Sequence, residues 1–278
     1  MLNIFYENSK GDRIYLTKDP YMMLSDTEIF NPEWQVKFQD KKYIKNIYKE
    51  CLDNSIQVRV NGSSYQDYLR NLDHLFEVVE YDMLSNSNGR LYFNDFYLTC
   101  RLYALKKPDK FLKVPFAIIE LSICTDGEFK WNKITSYNIK WENYINQDIG
   151  KKYPYRYPYR YVPQNTHRTT IDLGVFGDVF PVLIIYGRVE NPAIDINGTI
   201  YGARLTLREK EYLVIDSKQG QVYTIFNDKA TNRFNLRYNN DMISKLPLNT
   251  EMLDIYWNNN FNFDLQLITE RGEPQYAD

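Results

Sequence analysis

The sequence predicts a mainly β protein in two parts: an N-terminal β-rich domain, of sandwich or barrel type, that carries one α-helix, and a C-terminal β-sandwich. Three observations point there. Aromatic residues make up 16% of the 278-residue chain, with 25 Tyr among them. Tyr has an apolar body and a polar tip, which suits half-buried strand faces and protein contacts. Short apolar runs alternate with Gly, Asn, Asp and Ser turn signals along most of the chain. Only one segment keeps a sustained helical period. With 44% hydrophobic and 25% charged residues, the chain can bury a core and does not read as disordered. Its length fits one large domain or two ordinary ones.

In the N-terminal part, Leu2–Tyr6 and Arg13–Leu16 flank Asn8-Ser9-Lys10-Gly11-Asp12, a hairpin connection. Ile56-Gln57-Val58-Arg59-Val60 alternates strictly, as a strand with one wet face does. Arg90–Phe93, Asp95–Leu102 and Ala117–Cys124 extend the series, and Trp131–Trp141 holds a further strand or two. Between them the period changes. Tyr65, Leu69, Leu72, Phe76 and Val79 recur at helical spacing, and Ser64 followed by Asp67 resembles a capping box. Asn86-Ser87-Asn88-Gly89 supplies a turn beyond them. The pattern predicts a helix over 64–80 with its apolar stripe in the core.

The middle of the chain is different. Tyr153-Pro154-Tyr155-Arg156 is followed at once by Tyr157-Pro158-Tyr159-Arg160 and closed by Tyr161-Val162-Pro163. Alternating proline blocks helix and favours extended backbone. The expected organisation is an N-terminal domain at 1–143, a Tyr-Pro hinge at 144–168 and a C-terminal domain at 169–278. The hinge reads as a stiff linker or an edge strand. The sharper reading is an aromatic docking strip for another subunit, with Tyr153, Tyr155, Tyr157, Tyr159 and Tyr161 as candidate interface residues.

The C-terminal part is strand and turn throughout. Pro181–Arg188 is an apolar, buried strand; Ala193–Ile196 and Thr199–Tyr201 surround the turn Asn197-Gly198. Ala203–Leu207, Tyr212–Ile215 and Val222–Phe226 follow, with Ser217–Gly220 as a turn, and Met252–Trp257 and Asn262–Ile268 close the chain. Such spacing indicates a sandwich or jelly roll.

Composition also excludes functions. Net charge is −2, from 34 basic and 36 acidic residues, so no excess exists to neutralise a phosphate backbone and no nucleic-acid partner is expected. No run of about 18 apolar residues appears, so no membrane insertion is expected. Met1–Tyr6 reads as a strand and not as a leader peptide, which implies synthesis and retention in a cytoplasm. Cys51, Cys100 and Cys124 are odd in number and widely spaced. They read as reduced thiols, although one pair stays open. His74 falls in the helix and His167 in the hinge, neither within a local signature of nucleophilic catalysis. Cys and His are too scattered for a zinc set. Asp195-Ile196-Asn197-Gly198 lacks the further acids of a calcium loop and reads as a turn. No glycine loop for phosphate is present. The sequence therefore assigns no catalytic, metal or cofactor residue.

The order of segments resembles the distal tail (Dit-type) proteins of siphophages, within the siphovirus-type tail components. The C-terminal run is Pro181-Val182-Leu183-Ile184-Ile185-Tyr186-Gly187, then Asn191-Pro192-Ala193-Ile194. Gly202-Ala203-Arg204-Leu205-Thr206-Leu207 and Tyr212-Leu213-Val214-Ile215-Asp216-Ser217 continue it. The opening, Phe5-Tyr6-Glu7-Asn8-Ser9-Lys10-Gly11 through Leu16 and Pro20-Tyr21, is similar to the start of the same proteins, and the Tyr-Pro repeat resembles the stretch before their second domain. The resemblance implies an N-terminal β-rich domain with one helix and a galectin-like C-terminal sandwich. It also implies a hexameric ring of this chain that joins the tail tube to the tip. Its partners would be the tube, the tail-tip hub and a receptor-binding protein. It places the chain in the virion tail, assembled in the host cytoplasm. The short connections of the C-terminal part leave no room for the long receptor-binding insertions that some members carry. Two other readings stand beside this one. A carbohydrate-binding module would stack sugars on Trp257, Tyr256 or the Tyr-Pro strip, and a tail-associated glycosidase would need two facing carboxylates in a cleft.

Overall fold

A computed structural model describes residues 2–24, 29–30, 33–51, 53–108, 114–127, 129–141, 166–174, 177–248, 250–258 and 260–275. The chain divides into two compact units, one of Met1–Lys133 with Glu270–Asp278 and the other of Ile134–Thr269. The division falls within a strand, at Lys133/Ile134, where the sequence suggested limits at 143 and 168. Two strands, Trp131–Ile139 and Phe263–Arg271, carry the chain across it. Strand pairing between residues far apart in sequence sets such a boundary, and no local composition marks it.

In the first unit an antiparallel sheet runs in the order Phe96–Lys106, Phe116–Thr125, Asp53–Asn61, Tyr21–Met23, Thr17–Lys18. Ile4–Glu7 pairs with Arg13–Tyr15 across the expected hairpin and with Gly89–Phe93 on its other side. In that hairpin the Asn8 Oδ1 accepts from the amides of Lys10 and Asp12 at 3.1 and 2.8 Å, as an Asx turn does. The alternation of Ile56, Val58 and Val60 becomes a buried row, with Gln57 and Arg59 on the exposed side.

One helix, α1 (Tyr65–Leu84), packs on this sheet. Ser64 is its N-cap: the Ser64 Oγ accepts from the amide of Asp67 at 3.1 Å. Asp67 returns the bond one residue earlier than a capping box would, to the amide and hydroxyl of Ser63, each at 2.9 Å. The helix runs one turn past the expected 80 because its last turn holds Asp82, a fully buried carboxyl, and no breaker occurs before Asn86 at φ 50. Its buried stripe is Tyr68, Leu72, Leu75, Val78, Val79 and Asp82. Tyr65 faces outward, and Leu69 and Phe76 flank the core half-buried. The expected stripe was therefore rotated, because Asp82 and Tyr68 define the covered face and apolar side chains alone do not.

The second unit is a two-sheet sandwich. One sheet runs Lys229–Asn232, Gln221–Phe226, Tyr212–Asp216, Asp178–Tyr186, Phe263–Arg271, and the other Thr166–Asp172, Met252–Asn258, Ala193–Ile196, Thr199–Gly202. Leu183, Ile185, Leu213 and Ile215 from the first and Ile194, Ile196, Leu253 and Ile255 from the second share one core. Asn197 and Gly198, at φ 51 and 85, form the expected two-residue turn, closed by Gly198 N–H to Asp195 Oδ1 at 2.7 Å. Of the expected strand Ala203–Leu207 only Thr206–Leu207 is extended in a ladder, paired with Val189–Glu190. Residues 166–168 of the expected hinge belong to the strand Thr166–Asp172.

Candidate assembly surfaces

Among the described residues, a pair of strands with an exposed apolar face lies in the first unit, in a stretch for which the sequence predicts no element. Among the described residues, Gln35–Gln39 and Tyr43–Tyr48 pair only with each other, as a two-stranded sheet. Asp40 and Lys41 take φ 51 and 55, and the Lys42 amide donates to the Gln39 carbonyl at 3.0 Å. This is a type I′ turn, whose twist matches the flanking strands. Val36 stands opposite Ile47 and Phe38 opposite Ile44, so these four side chains share one face. They are between 40% and 60% exposed. The other face carries Gln35, Lys37, Gln39, Tyr43, Asn46 and Tyr48, with the Lys37 ammonium 5.0 Å from the Tyr48 ring centre. An isolated two-stranded hairpin is marginal in water. An arm whose apolar face is about half exposed is a candidate contact surface.

The five tyrosines proposed for docking, Tyr153, Tyr155, Tyr157, Tyr159 and Tyr161, lie outside the described residues. Both histidines are structural. His74 Nδ1 lies 2.9 Å from Tyr21 Oη on the face of α1, and burial pushes the Tyr21 phenol up to about 12. His167, placed in the hinge by the sequence, is buried in a strand. Its ring centre is 5.2 Å from that of Trp257 and 6.4 Å from that of Trp141. Trp257 is itself 1% exposed, so it cannot serve as a sugar platform. Arg168 lies over the Tyr256 ring at 5.1 Å and pairs with Asp254 at 3.1 Å. Bonds from Arg168 and Thr170 hold the Asp254 carboxyl below its ordinary range. Of the platforms expected of a carbohydrate module, Trp257 is buried and Tyr256 is stacked by Arg168.

Other carboxylates hold cations in the same way. Glu120 meets Lys106 at 3.0 Å and Asp178 meets Lys245 at 2.9 Å. Cys51 is exposed, Cys124 half-buried and Cys100 buried, all three as free thiols; burial pushes the Cys100 thiol well above its usual range. Among the described residues no group of three His, Cys, Asp or Glu side chains is disposed to hold a metal ion, and no described helix is long and apolar enough to cross a membrane.

No family model matches the sequence, and no curated protein matches it. Solved structures do. A chain of the phage P2 baseplate, solved in its activated conformation with Ca, superposes with a TM-score of 0.59 at 12% identity, over 99% of this chain and 100% of that one. The Dit protein of phage SPP1, described as a paradigm of the hub adsorption apparatus in phages infecting Gram-positive hosts, superposes with a TM-score of 0.57 at 8% identity, over 98% and 99%. The chain has the Dit fold. The likeness spans both units, so the β-rich first unit with its helix α1 and the C-terminal sandwich both belong to that fold.

Within the Dit fold the arm is the feature that sequence reasoning missed. Its signal was present: Val36 and Phe38, then Ile44 and Ile47, are apolar on either side of Asp40-Lys41-Lys42. The turn lacks Gly or Asn, the usual mark of positive φ, and so did not announce itself.

Proposed function

We propose that this chain is a structural component of a bacteriophage tail tip. In this reading it is a distal tail protein whose copies close into a hexameric ring between the tail tube and the tip. The observation that carries the reading is the full-length likeness to a phage baseplate chain and to SPP1 Dit. The first unit supplies the ring contacts, and the galectin-like second unit faces the hub and receptor-binding proteins. The chain works by surface complementarity and not by catalysis. Its place is the virion tail, after assembly in the host cytoplasm.

The arm supports self-association and bounds its strength. Fully covering an aliphatic or Phe side chain is worth about 1.5–3 kcal/mol. With four residues roughly half covered already, an arm contributes on the order of 4 kcal/mol. A micromolar contact needs about 8 kcal/mol. One arm therefore makes a weak pair, whereas a closed ring, in which each subunit gives one arm and receives another, multiplies the contacts without leaving an open end. The two partners meet through different patches, as a cyclic ring requires.

Native mass measurement with light scattering tests this. The intact chain should form a closed oligomer, and the double substitution Phe38→Ser with Ile44→Ser should release monomers with unchanged strand content. An intact chain that stays monomeric at concentrations on the order of tens of micromolar contradicts the ring, as does an oligomer indifferent to the arm substitutions.

A further inference from the structure

The arm leaves the first unit beside Trp34 and re-enters it at Lys49. Lys49 is 5% exposed, and among the described residues it is the only lysine or arginine in the buried class. Its ammonium donates to the carbonyl oxygen of Gly272 at 2.9 Å. It also lies 5.0 Å from the ring centre of Trp34 and 5.8 Å from that of Phe129. A buried ammonium needs a hydrogen-bond acceptor and gains from aromatic faces, and this one has both. Burial depresses its proton affinity, partly offset by Glu273.

The walls of this cage come from three distant stretches. Trp34 stands at the entrance of the arm, Phe129 precedes the strand Trp131–Ile139, and Gly272 lies near the other end of the chain. A Cβ at 272 would stand 2.7 Å from the Lys49 Nζ and 3.5 Å from Trp34 Cζ2, so a larger residue there must displace the end of the lysine side chain. The neighbours of Gly272 are tied down as well. Glu270 pairs with Lys130 at 3.2 Å, and the Arg271 guanidinium lies 5.8 Å from the Phe96 ring centre. Three successive residues thus each engage a different part of the first unit.

We propose that Glu270–Gly272 is a strap that fastens both feet of the arm through Lys49, so that the far end of the chain fixes how the apolar face of Val36, Phe38, Ile44 and Ile47 is presented to a second copy. The role in presentation rests on the ring reading above; the latch itself does not. Without the strap, the Lys49 ammonium loses its acceptor at Gly272, and beyond its own two-stranded ladder the arm is held at Lys49 only through the Trp34 and Phe129 rings. Such a ladder opens readily.

Hydrogen exchange followed by mass spectrometry, on dilute full-length protein, reads the latch directly. Lys49→Met keeps the length of the side chain and removes the ammonium, and Gly272→Val fills the space that the ammonium occupies. Both should speed exchange of the amides of 35–48 by about tenfold or more, while α1 and the pair Asp53–Asn61 and Phe116–Thr125 stay protected. Unchanged exchange across 35–48 in both variants overturns the proposal. Should either variant lose protection throughout the unit, Trp34→Leu, which removes one wall only, decides: faster arm exchange supports the latch and unchanged exchange rejects it. The oligomeric state of the same samples separates the two claims. A loosened arm in a chain that never forms rings upholds the latch and rejects the ring, and an intact ring with an unaltered arm does the reverse.

Discussion

Replacing Tyr6 with Phe, and Asp82 with Ala, singly and together, tests what binds the N-terminal hairpin to α1. Tyr6 is 1% exposed and Asp82 fully buried. The Tyr6 hydroxyl donates to Asp82 Oδ2 at 2.5 Å, and the Ser9 amide donates to Asp82 Oδ1 at 2.8 Å. Burial, then the bond to Asp82, raises the Tyr6 phenol far above its ordinary pKa, so it stays a donor. Losing one hydrogen bond to a buried carboxyl costs on the order of 1.5–3 kcal/mol, which is the expectation for Tyr6→Phe. Asp82→Ala orphans the Tyr6 hydroxyl and leaves a small cavity, for roughly 3 kcal/mol. The double variant should cost less than the sum by about 1.5 kcal/mol or more, since each single change already destroys the shared bond. Denaturant unfolding of the four proteins, followed through the first unit, measures all three terms. Additivity to within about 0.5 kcal/mol would refute the view that this pair acts as one lock. Gly89 offers a check from the third side, because a Cβ there would collide with both Tyr6 Oη and Asp82 Oδ2. Gly89→Ala should therefore destabilise the wild type more than it does the double variant.

Two further outcomes are expected. Leu72→Ala, at a buried position of α1, should lower stability by roughly 2–5 kcal/mol, while Tyr65→Ser on the outer face of the same helix should stay within about 0.5 kcal/mol; thermal melts that rank them the other way would place the core on the wrong face. At alkaline pH the protein should weaken, because Tyr21 and Tyr201 are raised by burial from 10.0 to about 12. Their contribution is complete below pH 10, where folded and unfolded forms are both protonated, and is lost between about 10 and 12 as only the unfolded chain ionises. The loss is about 1.4 kcal/mol for each tenfold difference in proton affinity, and a tyrosinate absorbance titration with no late-ionising fraction would contradict it.

The elements that were legible in the sequence are those whose cause is local. Ile56, Val58 and Val60 alternate because a pleated strand turns successive side chains to opposite faces, and the sheet buries that row. Asn197 and Gly198 tolerate positive φ, and the chain reverses there. Ser64 and Asp67 marked where α1 begins. The end of α1 was not legible, because it depends on Asp82 meeting Tyr6 and Ser9, more than seventy residues away in sequence.

Period alone says that a face is apolar and cannot say what covers it. Val36, Phe38, Ile44 and Ile47 carry the pattern of a strand pair, yet only the tertiary structure shows that their shared face is left 40% to 60% exposed. Trp257 looked like a platform for sugars and is sealed in the core, because its strand lies between two others and its ring meets Phe263 at 5.2 Å. Lys49 and Gly272 are separated by 223 positions. Backbone geometry and side-chain alternation act within a few residues and are written in the sequence in order. Cover, enclosure and pairing across the chain depend on which surfaces the folded backbone brings together, and those are decided by the tertiary structure alone.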